Sequence, residues 1–264
     1  MCAVSYLNTV PLVWGFLHGP QSALADLSFA VPSECARRIE NGSADVGIVP
    51  VVEMQRQGLE AVPGTGIACE GAVRSILVIS RVAPAAIRRL AVDSGSRTSV
   101  ALARIILRER YRAEPAVEVM APQLERMLGQ ADAALLIGDA ALAVDPDKLP
   151  YQVLDLGAEW NSLTGLPMVF AVWAGPAERV APLRSRGPGL DFAAAFRGSL
   201  DYGLQNMNTL VEQESRRRGF SAELVRRYLT RHIRFRIGPR ELAGMERFLQ
   251  YAVQLEEPVA HAQS

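Results

Sequence analysis

Arg74-Ser75-Ile76-Leu77-Val78-Ile79-Ser80-Arg81 is the stretch of sequence that decides the fold. A short apolar run between polar residues predicts a buried β-strand. Val82-Ala83-Pro84 follows it, and a new strand–helix–strand–helix–strand series then begins. We therefore expect this strand to be a crossing from one lobe of the protein to a second, inserted lobe.

A second crossing is predicted at residues 165–173, another apolar strand, after which the chain becomes helical. The two crossings define a first lobe of residues 1–82 and 166–264 and a second lobe of residues 83–165. This layout predicts an α/β fold of two lobes with an interlobe cleft. Such a cleft binds a ligand between the lobes and closes by a hinge motion.

Short apolar runs alternate with amphipathic patterns over most of the chain, which is typical of α/β proteins. The predicted strands are residues 2–6, 27–31, 46–49, 75–80, 90–93, 117–120, 133–137, 152–154 and 168–173. Beyond about Asp191 the sequence predicts helices only, at residues 192–218, 221–232 and 239–254. Arg216-Arg217-Arg218 precedes Gly219, so we interpret it as the solvated end of a helix rather than as a nucleic-acid patch.

The composition is that of a soluble globular protein, with 264 residues of which 49% are apolar and 21% charged. Acidic and basic residues number 28 each, so the net charge favours neither nucleic acid nor a membrane surface as a partner. No apolar run approaches the roughly 18–20 residues of a membrane-spanning helix, and no secretion signal is evident. We expect a cytoplasmic protein, and the oligomeric state stays open.

Metal and cofactor motifs are missing from the sequence. Its three cysteines and three histidines are scattered without the spacing of metal ligands. The phosphate-binding loop, the Rossmann fingerprint and the Gly-x-Ser-x-Gly elbow of serine hydrolases are also absent. We therefore expect neither a metal nor an organic cofactor.

Polar side chains follow the first predicted strand, in Ser5-Tyr6-Leu7-Asn8-Thr9. Ligands of open α/β sheets bind at the carboxyl ends of the strands, which makes Ser5, Tyr6, Asn8 and Thr9 candidate ligand-binding residues. The alternative is that Asn8 or Thr9 only caps the helix that starts near Pro11.

Three further motifs contain candidate binding residues. Arg74 and Ser75 precede the crossing strand, where an arginine can hold a carboxylate by two hydrogen bonds; the alternative is a surface salt bridge. In Asp93-Ser94-Gly95-Ser96-Arg97-Thr98-Ser99, hydroxyls and an arginine stand at a predicted helix start, which favours an anion site over a plain cap. Gly138-Asp139 ends another strand, where Asp139 is either a binding residue or a helix cap.

Taken together, these motifs resemble the MqnA family, the chorismate dehydratases of the futalosine route to menaquinone. The resemblance spans nearly the whole chain and rests on residues 5–12, 32–36, 45–50, 73–75, 93–99 and 136–139. It implies a type II periplasmic-binding-protein-like fold. The implied reaction is removal of water from chorismate, a dicarboxylate, to give 3-[(1-carboxyvinyl)oxy]benzoate, without metal or cofactor.

The resemblance also implies roles for the candidate residues. Asn8 positions or polarises the reacting region, Ser75 hydrogen-bonds the substrate, and Arg74 supports a carboxylate. The other implied substrate-binding residues are Ser5, Tyr6, Thr9, Ser96, Arg97, Thr98, Ser99, Gly138 and Asp139. The base implied by the family is the enolpyruvyl carboxylate of the substrate itself.

Two other functions stay open at this point. One is a cytosolic clam-shell binding protein for a small carboxylate, although no DNA-binding segment of a regulator is visible. The other is the sister enzyme 1,4-dihydroxy-6-naphthoate synthase, against which the opening Ser-Tyr-Leu-Asn-Thr motif speaks.

Overall fold

Two β-sheets, joined by two crossings of the chain, form the framework of the computed structural model, which describes residues 1–93, 95, 97–184 and 192–256. The strands of the first sheet are β1 (Cys2–Val4), β2 (Ser28–Ala30), β3 (Gly47–Pro50), β4 (Glu60–Cys69), β10 (Met168–Gly175) and β11 (Arg234–Arg236). The strands of the second are β5 (Ile76–Ser80), β6 (Arg89–Val92), β7 (Ala116–Val119), β8 (Ala133–Ile137) and β9 (Gln152–Asp155). The strand orders are β11-β4-β10-β3-β1-β2 and β7-β6-β8-β5-β9.

Helices cover both sheets. Those up to the second crossing are α1 (Val10–His18), α2 (Pro32–Glu40), α3 (Val51–Arg56), α4 (Arg97–Tyr111), α5 (Leu124–Gln130), α6 (Gly138–Leu142) and α7 (Leu156–Thr164). After β10 come α8 (Ala177–Arg184), α9 (Phe192–Gln205), α10 (Met207–Arg218), α11 (Ala222–Arg227) and α12 (Pro239–Glu256). A 3-10 turn at Leu7–Thr9 precedes α1, and a π-helical turn at Tyr228–His232 follows α11.

The sheets combine parallel and antiparallel pairs. In the first sheet β1 runs parallel to β2 and β3, while β10 lies antiparallel between β3 and β4. In the second, β6 runs parallel to β7 and β8, while β5 lies antiparallel between β8 and β9. The residues of β5, β8 and β10 are all buried, so the apolar core lies on these central strands.

The first crossing lies earlier in the chain than the sequence suggested. The prediction assigned residues 1–82 to the first lobe, but β5 is hydrogen-bonded within the second sheet. The crossing therefore occupies the segment between β4 and β5. The pattern of an apolar run predicts a strand but does not indicate which sheet that strand joins, so the pairing of β5 could not be predicted from the sequence. Apart from this boundary, the division of the chain into two lobes at the predicted residues stays a proposal.

All nine predicted strands have a counterpart in the structure, and the described residues contain two further strands that were not predicted. β4 contains Pro63, Gly64 and Gly66, residues that weaken a strand signal, and its pairing with β10 has register shifts. β11 is only three residues long. Residues 192–218 form two helices instead of one, because α9 ends at Gln205 and α10 begins at Met207.

Within the described residues, the structure has no helix with both the length and the apolar character needed to span a bilayer.

Candidate active site

A cavity lies between the two sheets, at the carboxyl ends of β1, β3 and β8. Its space is about 490 Å³ when its open mouth is included. The described residues that line it are Val4, Tyr6, Asn8, Pro32, Pro50, Ile67, Val73, Ser75, Ile76, Ser99, Ile137, Gly138, Phe170 and Ala171. Five of the predicted site residues therefore meet in one place, namely Tyr6, Asn8, Ser75, Ser99 and Gly138.

The segment after β1 supplies Asn8, whose side chain faces the cavity instead of capping a helix. α1 follows the 3-10 turn, and Thr9 occupies its N-cap position without a side-chain cap hydrogen bond. The hydroxyl of Thr9 is fully buried, and Thr9 is not among the described residues of the cavity wall. The Oδ1 atom of Asn8 is buried without a hydrogen-bond partner among the described residues. An unpaired acceptor of this kind at a cavity wall is available to a ligand.

Tyr6 connects the first lobe to the second. A β-carbon at Gly138 would lie 2.9 Å from the Tyr6 ring, so only glycine allows this approach, and Gly138 also has a left-handed φ of 58°. Burial, together with the nearby carboxylate of Asp93, raises the pKa of the Tyr6 phenol to about 12. Tyr6 is therefore a neutral wall of the cavity at physiological pH.

Ser75 is oriented by an unusual backbone at the first crossing. Arg74 has a left-handed φ of 66°, a strained conformation for a residue other than glycine. The Asp155 carboxylate accepts hydrogen bonds from the backbone N–H groups of Val73 and Arg74 at 2.9 and 2.6 Å. The same carboxylate caps α7 through Gly157 and Ala158. Asp155 thus joins the two crossings and holds the turn that places Ser75 in the cavity.

The guanidinium of Arg74 does not reach this cavity, contrary to the expectation that it supports a substrate carboxylate. It donates instead to the carbonyl oxygens of Ala141 at 2.9 Å, Leu142 at 3.5 Å and Val144. These carbonyls belong to the last turn of α6 and the loop after it, where a cation is favourable because of the helix dipole. Arg74 therefore contributes its backbone to the site and its side chain to the end of α6.

The motif of residues 93–99 contributes through Ser99, which lies in the first turn of α4 and lines the cavity. Thr98 is buried, and its hydroxyl accepts a hydrogen bond from the N–H of Val52 at 3.3 Å. Arg97 is ion-paired with Glu53 at 2.9 Å, and it is not among the described lining residues. Ser96 lies outside the described residues. The structure thus places the start of α4 at the cavity without placing the Arg97 guanidinium there.

Asp139 joins the lobes and does not line the cavity. Its carboxylate accepts from the N–H of Leu7 at 3.1 Å and pairs with Arg218 at the end of α10. Arg218 also donates to Glu214 at 2.7 Å and to the carbonyl oxygen of Ser5 at 3.0 Å. The Ser5 side chain lines a neighbouring cavity on the other side of Tyr6. Asp139 and Ser5 are therefore parts of an interlobe contact centred on Arg218.

The sequence predicted that Arg216, Arg217 and Arg218 are all solvated, which is correct for the first two and wrong for Arg218. The side chains of Arg216 and Arg217 are 77% and 67% exposed at the end of α10, whereas that of Arg218 is only 11% exposed. Three consecutive residues of a helix point in different directions, so one of them can be buried while the others remain solvated.

Tyr228 is the second residue that the sequence analysis missed. It is 1% exposed, lies at the start of the π-helical turn, and its hydroxyl donates to Ser75 Oγ at 2.8 Å. Burial raises the pKa of this phenol well above its usual range, and its hydrogen bond with Ser75 opposes part of the shift. The sequence offered no signal for it, since Tyr228 stands in an ordinary amphipathic pattern.

Comparison with known proteins identifies the family. A sequence model of the family described as "Menaquinone biosynthesis" matches residues 1–254. The chain belongs to this family. The match confirms the resemblance drawn from the motifs of the sequence.

This member of the menaquinone-biosynthesis family is 29% identical to the chorismate dehydratase of Thermus thermophilus, over 84% of each chain. Its fold is similar to that of AF1704 from Archaeoglobus fulgidus, with a TM-score of 0.71, 15% identity and 96% of both chains covered. It is also similar to the periplasmic aliphatic sulphonate binding protein SsuA of Escherichia coli, with a TM-score of 0.64, 13% identity and coverage of 98% and 94%. These neighbours confirm the predicted two-lobe, binding-protein-like fold.

Proposed function

We propose that this protein is a chorismate dehydratase, which removes water from chorismate to give 3-[(1-carboxyvinyl)oxy]benzoate. The observation that carries the proposal is that Asn8, Ser75 and Ser99 line the same interlobe cavity. Membership of the menaquinone-biosynthesis family and the similarity to a curated chorismate dehydratase support it.

For this reaction the protein mainly has to orient chorismate and stabilise the negative charge that develops on it. The proton on the ring carbon that bears the enolpyruvyl ether is conjugated, through a ring double bond, to the ring carboxylate. Its removal gives an extended enolate, and expulsion of the neighbouring hydroxyl as water then completes an aromatic ring. Aromatisation supplies the driving force, so donors that hold the developing enolate supply the catalysis.

The lining of the cavity suits a base that belongs to the substrate. No arginine or lysine stands among the described lining residues. A carboxylate bound by neutral donors keeps more of its basicity than one paired with a guanidinium, because an opposite charge lowers its pKa. We infer that the Ser75 hydroxyl and the donors near Ser99 hold the ring carboxylate. The enolpyruvyl carboxylate is then left unpaired and takes the ring proton. The carboxylic acid so formed returns that proton to the departing hydroxyl, which leaves as water.

The first test uses purified protein and chorismate without added metal or cofactor, followed by ultraviolet absorbance and mass spectrometry. The expected product is lighter than chorismate by one water and has a benzoate-like spectrum. Chorismate that binds but is returned unchanged would favour the clam-shell binding protein. Chorismate that neither binds nor reacts would refute the proposal.

Asn8→Ala tests the assignment of the site. We expect kcat to fall about 100-fold or more, the scale for loss of one preorganised polar group, with the thermal unfolding midpoint little changed. Asn41→Ala is the matched control, because Asn41 lies at the exposed end of α2. An Asn8→Ala enzyme with the kcat of the control would remove Asn8 from the mechanism.

A further inference from the structure

The buried hydroxyl of Tyr228 contacts Ser75, a polar residue that the proposed function places next to the substrate. It donates to Ser75 Oγ at 2.8 Å. A buried tyrosine hydroxyl needs a partner, and in a core position one backbone carbonyl would satisfy it. Here the partner is a side chain of the cavity wall.

The contact determines what Ser75 can offer to a ligand. A serine hydroxyl has one proton to donate and two lone pairs. Because the Tyr228 O–H already occupies one lone pair of Ser75 Oγ, the serine proton is directed elsewhere. The Ser75 backbone faces the second lobe, where its carbonyl accepts from Gly138 N at 2.8 Å. The Ser75 O–H is therefore left to donate into the cavity that Ser75 lines.

Tyr228 keeps this role at neutral pH, because its burial disfavours ionisation and leaves the O–H in place as a donor. It stands at the start of the π-helical turn Tyr228–His232, a backbone irregularity that often occurs at functional sites. The turn is anchored near the first crossing, since a ring nitrogen of His232 lies 2.9 Å from the carbonyl oxygen of Ala72.

We propose that Tyr228 is a positioning residue that makes Ser75 a hydrogen-bond donor toward the substrate. That donor faces a carboxylate or enolate oxygen. The inference rests on the proposed function, because it assigns the Ser75 hydroxyl to the substrate of that reaction.

Tyr228→Phe removes only the hydroxyl and keeps the buried ring, so it tests the positioning role. We expect kcat with chorismate to fall about 10- to 100-fold, the scale of a lost buried hydrogen bond in a catalytic site, while KM changes less than about threefold. Tyr111→Phe is the control: that hydroxyl donates to Glu159 at 3.0 Å, away from the cavity. Equal kcat values for the two variants would overturn the inference.

A double-variant cycle separates positioning from general stability. If Tyr228 acts through Ser75, then adding Tyr228→Phe to Ser75→Ala lowers kcat no further. Full multiplication of the two losses would overturn the proposed coupling, and so would a loss confined to the unfolding midpoint. Wild-type protein that leaves chorismate unchanged would instead refute the proposed function, and this inference with it.

Discussion

Replacement of Arg218 by methionine should destabilise the protein far more than the same change at its two neighbours. The guanidinium makes contacts with Asp139, Glu214 and the Ser5 carbonyl, and it is nearly buried. Methionine retains the length of the apolar stem and removes the charge. Glu214 is itself 6% exposed, so its carboxylate would be left with only the exposed Arg217 at 3.4 Å.

The magnitude follows from burial. Breaking a buried ion pair from one side costs about 3–5 kcal/mol, because the remaining charge stays desolvated. The Asp139 side chain is 28% exposed and can regain water, so the lower end, about 3 kcal/mol, applies. For a chain of this size that loss lowers the unfolding midpoint by about 6–12 °C.

The assay is thermal unfolding followed by tryptophan fluorescence, since Trp14, Trp160 and Trp173 are all buried. Arg216→Met is the matched control, because its exposed pair with Glu212 is worth at most about 1 kcal/mol. A midpoint for Arg218→Met within 2 °C of that control, on the scale of about 2–4 °C per kcal/mol, would refute the reasoning from burial.

Two further predictions concern Tyr6 and the glycine beneath it. Gly138→Ala should cost about 2–4 kcal/mol and lower kcat, since it combines a left-handed backbone with a clash against the Tyr6 ring. Gly42→Ala, also left-handed but surrounded by open space, should cost only about 1–2 kcal/mol, and equal unfolding midpoints would contradict this. Because its folded pKa is raised to about 12, Tyr6 contributes stability below pH 10 that is lost as the pH rises toward 12. Tyr6→Phe should make that decline less steep in pH-dependent unfolding, and a decline as steep as in the wild type would contradict this.

The two-lobe class was predictable because it depends on local patterns. Apolar runs of four to six residues, each followed by a helical period, predict strands and helices whatever their neighbours are. Residues at the ends of those runs, most of them polar, indicated Tyr6, Asn8, Ser75, Ser99 and Gly138, and these five residues do meet in one cavity. Tyr6, Asn8 and Gly138 follow strands, and ligands of α/β sheets bind at the carboxyl ends of strands. Ser75 joins them because β5 runs antiparallel to β8, so its start lies beside the end of β8.

The directions of long side chains were not predictable in this way. Arg74 and Arg97 have the charge for a carboxylate, but the first meets the end of α6 and the second meets Glu53. Sequence position places the Cα atom, whereas a flexible arginine takes the nearest acceptor that the fold brings within reach. Arg218 is the opposite case: the sequence predicted a solvated side chain, and the structure places it, mostly buried, between the lobes.

By itself the sequence determined the alternation of strands and helices, the existence of two crossings and the family of the chain, because these are recorded in residues that are close together. Tertiary structure alone decided which sheet β5 joins, that Asp139 meets Arg218, and that Tyr228 reaches Ser75 across 153 positions of the chain. Such contacts come from the packing of distant segments, and a pattern of neighbouring residues carries no record of them.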